Sequence, residues 1–145
     1  MKAILQRARH GSVTVENQVI ANIGRGLVIL LGIGPDDDQE RAQALARKTA
    51  LLRIFEDEGG KMNLSVLDVQ GQAIVVSQFT LYADTRKGNR PSFTGAALPD
   101  LARPLCDYFV SQLIAQGVPT QTGEFGAHML VEIENDGPVT ISLEM

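Results

Sequence analysis

Two short segments concentrate the residues that could do chemistry. The first is Ser77-Gln78-Phe79-Thr80, at the polar end of the apolar run Ala73-Ile74-Val75-Val76. Three hydrogen-bonding side chains on such a strand cost burial energy unless each finds a partner. On an ideal strand Gln78 and Thr80 share one face and Ser77 takes the other. Thr80 is the hydroxyl that could attack a carbonyl, yet the motif supplies no histidine, lysine or carboxylate to take its proton. Main-chain N–H groups near Phe79 and Thr80 could stabilise a developing oxyanion. The plainer reading is a strand emerging at a sheet edge. The second segment is Asn135-Asp136-Gly137-Pro138-Val139-Thr140. Its plainer reading is a four-residue hairpin loop. A Gly-Pro bond can also be cis at modest cost, which fixes two adjacent carbonyls where a small chiral centre could be recognised.

Other chemistries find no support. Gly32-Ile33-Gly34 follows an apolar run, but Asp37 stands where a dinucleotide fold needs its third glycine, and Asp36-Asp37-Asp38 would repel a pyrophosphate. Neither a P-loop nor a G-x-S-x-G elbow occurs. His10 and His128 are the only histidines, and with the lone Cys106 they give no metal-ligand spacing. Both histidines read as structural or solvent-facing. No metal or cofactor is expected.

The elements that must position the two segments follow from periodicity. Lys2–Arg7, Ser12–Val15 and Val19–Ile23 read as short strands, and Leu27–Ile33 as a central strand buried on both faces. A helix opens at Asp36-Asp37-Asp38 with Ala42, Leu45, Ala46 and Thr49 on its buried stripe; a second runs over about Asp100–Gln116 with Leu101, Leu105, Phe109 and Leu113 inward. Unless the helix begins near Pro104, one backbone bond is lost there and a kink follows. Ala73–Ala83, Gly126–Glu134 and Val139–Leu143 complete the strands. The fold class is α+β: a β-barrel-like or strongly curved sheet with two packed helices, in a single domain over residues 1–145.

With 145 residues, 44% hydrophobic and 21% charged, the chain has an ordinary globular composition. No stretch is long and apolar enough for a membrane span, no signal-peptide core is present, and the single cysteine cannot form an internal disulfide. A cytoplasmic protein is expected. A net charge of −4 excludes coating nucleic acid with the whole surface, but not gripping one nucleotide end. The densest cationic group is Asp84-Thr85-Arg86-Lys87-Gly88-Asn89-Arg90-Pro91.

S-Q-F-T followed near the C-terminus by N-x-G-P-x-T closely resembles the D-aminoacyl-tRNA deacylase family. So do the flanks Arg53-Ile54-Phe55, Gly60-Lys61-Met62-Asn63, Leu81-Tyr82-Ala83-Asp84 and Arg90-Pro91-Ser92-Phe93. The resemblance implies a homodimer with a shared active site, hydrolysing the ester of D-aminoacyl-tRNA at the terminal adenosine and glycyl-tRNA mischarged on tRNA for alanine. It implies that Ser77, Gln78, Phe79 and Thr80 form the catalytic floor. Gly137 and Pro138, as a cis pair flanked by Asn135 and Thr140, would reach into the partner's pocket for chiral selection. The unactivated Thr80 favours assistance by the free ribose hydroxyl of the RNA. Two rivals stay open: a small-acyl esterase using Thr80, and a non-catalytic module that binds nucleotide ends.

Overall fold

In the computed structural model, which describes residues 1–145, the short pieces at Lys2–Arg7 and Ser12–Val15 are the two ends of one strand, β1 (Lys2–Val15). Glu16 and Asn17 take positive φ (49° and 63°), the left-handed pair that a two-residue hairpin requires. They reverse the chain into β2 (Gln18–Ile23) and β3 (Gly26–Gly32). These two lie end to end along one edge of β1, opposite Gly11–Val15 and Lys2–Ala8 respectively. Leu27, Ile29 and Leu31 of β3 enter the main core and Val28 a second one. The strand is buried on both faces, as its apolar run predicts.

The first helix, α1 (Gln39–Leu51), starts a turn later than Asp36. Only Asp38 caps it, accepting the Arg41 N–H at 2.9 Å. Asp37 is buried instead: it accepts the Met1 ammonium at 2.5 Å and the Gly34 N–H at 2.6 Å, tying the start of β1 to the β3–α1 connection. The small antiparallel pair β4 (Phe55–Glu56) and β5 (Met62–Leu64) follows. Then come β6 (Gln72–Ser77), α2 (Pro99–Ala115) and β7 (Thr120–Thr122). Pro99 begins α2, which runs on through Pro104. Leu105, Phe109 and Leu113 are buried as the stripe predicts, while Leu101 is partly exposed.

β6 pairs in parallel with β3, and β7 in parallel with β6. The last strand, β8 (Leu130–Glu144), runs antiparallel along the other edge of β1 for almost its whole length. The sheet then curls toward closure. The Gln121 side chain on β7 accepts the Asn22 N–H of β2 at 2.9 Å and donates to its carbonyl at 2.7 Å, standing in for a strand pair. Both helices pack over the larger core; Ala8, Val13, Ala21, Ile23, Val28, Ile74 and Val76 fill the smaller one. This is the barrel-like α+β arrangement expected. No helix is long and apolar enough to cross a membrane.

Candidate active site

The strand read through Ala83 stops at Ser77, which opposes Leu31, and the Gln78 N–H makes the last bond to β3, donating to the Leu31 carbonyl at 2.8 Å. Phe79–Tyr82 then forms a single 3-10 turn. The turn brings Gln78 and Thr80 together, and the Gln78 amide donates to the Thr80 hydroxyl oxygen. Thr80 is exposed, and no acid, lysine or imidazole contacts its hydroxyl. As the first two residues of the turn, Phe79 and Thr80 have N–H groups that no earlier turn can accept, and neither is spent on a carbonyl of the chain.

This motif forms one wall of a cleft of about 580 Å³, lined by Ser77, Gln78 and Phe79 and otherwise mostly by apolar side chains. Phe79 and Phe93 meet edge to face, ring centres 5.1 Å apart. The lining also includes Phe125, His128 and Met129. His128 sits on the loop before β8 rather than in a strand. Burial, with Asp107 nearby, pushes the Cys106 thiol in this lining up to about 12, so it stays protonated. Tyr82 is likewise raised, to about 12, by burial and the Asp37 carboxylate. The cleft therefore offers apolar surface and main-chain donors, with no activated nucleophile.

The second motif is a bulge and not a hairpin loop. Gln6 and Ala8 of β1 are two residues apart, but their partners Thr140 and Asn135 are five, so β8 loops out three extra residues. The Gly137-Pro138 bond is cis, and Gly137 has φ 128°. Asn135 ties the neck of the bulge through its side chain: Oδ1 accepts the Val139 N–H at 2.7 Å, and Nδ2 donates to the Thr140 hydroxyl at 3.0 Å. From below, the buried Arg7 donates through Nε to the Asp136 carbonyl (2.9 Å) and through Nη1 to the Ile54 carbonyl (2.7 Å). The carboxylates of Glu56 and Asp136 lie 3.7 and 3.8 Å from its guanidinium. Gly137 and Pro138 stand exposed on this braced support.

The family model described as D-Tyr-tRNA(Tyr) deacylase matches residues 4–144. The chain belongs to this family. It is 58% identical to the D-aminoacyl-tRNA deacylase of Thermomicrobium roseum over 144 residues, 99% of this chain and 94% of that one. With the D-aminoacyl-tRNA deacylase of Deinococcus deserti it shares 57% over 145 residues, 100% and 99% of the two chains. A solved structure of a c-Myc DNA unwinding element binding protein superposes with TM-score 0.94 at 45% identity, covering 100% of this chain and 99% of that one. A probable eukaryotic D-amino acid tRNA deacylase superposes with TM-score 0.84 at 19% identity over 99% and 98% of the chains, a likeness of fold.

Of the residues singled out from the deacylase motifs, Ser77, Gln78 and Phe79 line the cleft, and Thr80 sits beside them in the turn. Asn135, Gly137, Pro138 and Thr140 do not line it. Val131, which does, lies five residues along β8 from Asp136, or roughly 17 Å of strand. Within one chain, the cleft is thus lined by the first motif and not by the second. The sequence assigned no site role to Arg7 or to the aromatic wall of Phe93 and Phe125. The signal for Arg7 was its parity: Ala3, Leu5 and Arg7 share the inward face of β1, where an arginine needs a specific reason.

Proposed function

We propose that this deacylase-family chain hydrolyses the ester joining a D-amino acid to the terminal ribose of tRNA, releasing free D-amino acid and tRNA. The observation that carries this reading is the pair of uncommitted N–H groups of Phe79 and Thr80 beside an apolar cleft without an activated nucleophile. Such a site suits an ester whose own RNA supplies the missing polar group. Water attacks the carbonyl carbon, the two N–H groups take the developing oxyanion, and the bond to the ribose oxygen breaks. The neighbouring free ribose hydroxyl orients the water, takes a proton from it as it attacks, and passes its own proton to the departing ribose oxygen, so that the carboxyl product and both ribose hydroxyls are left. Thr80, its oxygen already accepting from Gln78, positions rather than attacks.

The active unit in this reading is a homodimer. Gly137 and Pro138, exposed on their braced bulge, complete the partner's Ser77–Thr80 cleft, since neither reaches the cleft of its own chain. Chiral rejection acts at the α-carbon: main chain held by Arg7 and Asn135 leaves room for a hydrogen and none for an L side chain. Glycine has no side chain to collide, so glycyl-tRNA mischarged on tRNA for alanine is also a substrate. No cofactor takes part, and the enzyme works in the cytoplasm.

The test is incubation with D-tyrosyl-tRNA, L-tyrosyl-tRNA and a small D-amino ester. Hydrolysis of the first alone is expected. Turnover of the small ester would point to a Thr80 esterase, and no turnover of any substrate to a binding module.

A further inference from the structure

The cleft lining contains no lysine or arginine, and the chain as a whole is acidic at −4. A nucleic-acid end entering the cleft must have its phosphates met elsewhere, or it is repelled. One structure is built for this at the rim. The loop between Asp84 and Ser92 is closed at its base by a two-bond backbone bridge, 2.7 and 2.9 Å. Its first arm leaves the 3-10 turn that carries Phe79 and Thr80, and its second leads into Phe93, which lines the cleft.

Within the loop the charges are sorted. Arg86 folds back on Asp84, donating at 2.9 and 2.7 Å to its two carboxylate oxygens. This holds the Asp84 carboxyl below the usual carboxylate range and neutralises the only acid there. Lys87 and Arg90, both exposed, form no ion pair with any carboxylate. Gly88, at φ 73°, turns the chain between them. Lys87 is three residues from the bridge, so it lies within about 10 Å of the rim. That is about three nucleotide steps of a stacked strand at roughly 3.4 Å each.

We infer that Lys87 and Arg90 form a phosphate clamp for the RNA strand leading into the cleft, gripping its backbone within about three nucleotides of the terminal adenosine. The inference rests on the proposed action on tRNA. It assigns the loop to affinity and register rather than to the choice of amino acid.

Loss of two phosphate contacts should make the salt dependence of binding shallower by about 1.4 for a single strand, or about 1.8 for a duplex, in log–log slope. Relative to 1 M salt, this corresponds to roughly 14- to 30-fold weaker binding at 0.15 M. The experiment measures binding of uncharged tRNA by fluorescence anisotropy across a salt series. The variants are K87A/R90A, the charge-preserving K87R/R90K, and R47A/K48A on the exposed face of α1. Melting temperature is read on each. The clamp predicts the stated loss and flatter slope for K87A/R90A only. Unchanged affinity and slope in K87A/R90A would overturn it, as would an equal loss in either of the other two. Turnover of D-tyrosyl-tRNA by the parent protein is scored separately. Its absence would remove the proposed hydrolysis, and the binding comparison would still decide the clamp.

Discussion

Arg7 offers the sharpest link between packing and function. Its guanidinium holds two carbonyls, of Asp136 and Ile54, in a setting where the side chain is only 4% exposed. Arg7→Met fills similar volume but leaves both carbonyls without a donor, at about 1–3 kcal/mol each. Removing a largely desolvated charge returns part of that, so a net loss of roughly 2–4 kcal/mol is expected. For 145 residues the unfolding entropy is about 0.3 kcal/mol/K, so the melting temperature should fall by roughly 7–13 °C. Below that transition the protein stays folded, but the bulge has lost its brace. A shift of about 1 Å in a positioning group costs on the order of 100-fold in rate, and D-tyrosyl-tRNA hydrolysis should fall by at least that. Arg7→Lys keeps the charge but cannot reach both carbonyls, and should lose activity with a smaller drop in melting temperature. Thermal denaturation followed by circular dichroism, with deacylation assayed at 25 °C, reads both quantities. An Arg7→Met protein that melts within about 2 °C of the parent and keeps its activity would refute the reasoning.

Further expectations follow from the same geometry. Gly137→Ala places a Cβ 2.9 Å from Val139 Cγ2 and 3.0 Å from Arg7 Nη2, at a φ of 128° that L residues rarely adopt; a loss of about 1–3 kcal/mol with reduced deacylation is expected, and a neutral result on both counts would contradict it. Thr80→Ser should keep substantial activity, Thr80→Ala should lose less than removal of a true nucleophile, and mass spectrometry should find no acyl-Thr80 adduct. A terminal adenosine without its free ribose hydroxyl should be a very poor substrate, and normal turnover of that analogue would exclude RNA assistance. Tyr82 is raised to about 12 from its ordinary value of 10, so it favours the folded state below pH 10 and that contribution fades as pH rises toward 12; Tyr82→Phe should flatten the fall in melting temperature across this window.

Much of the fold was legible because local periodicity and tertiary partners agree. The β3 run is apolar on both faces and is buried on both; Ala42, Leu45, Ala46 and Thr49 repeat at helical spacing and all face the core. Legibility failed where a distant partner decides. The polar end of β6 leaves the sheet at Ser77 and folds into a 3-10 turn while β3 runs on to Gly32, which the segment's own alternation cannot reveal. Asn135–Pro138 carries strong turn chemistry, and a hairpin and a bulge break period-2 alternation in the same way. Only the 14-residue β1, continuous through Arg7, makes it a bulge by pairing with both flanks. Arg7 itself escaped notice because its partners are backbone carbonyls, which leave no mark in the sequence. The aromatic wall is formed by Phe93 and Phe125, 32 positions apart and each unremarkable alone.

The central claim is a site that hydrolyses aminoacyl-tRNA and excludes the L configuration at the α-carbon. The direct measurement is the time course of deacylation of D-alanyl-, glycyl- and L-alanyl-tRNA by one preparation. Even a methyl group suffices for collision, so the first two should be hydrolysed and the third left intact. Hydrolysis of L-alanyl-tRNA at a rate comparable to D-alanyl-tRNA, or refusal of D-alanyl- or glycyl-tRNA, would contradict the account.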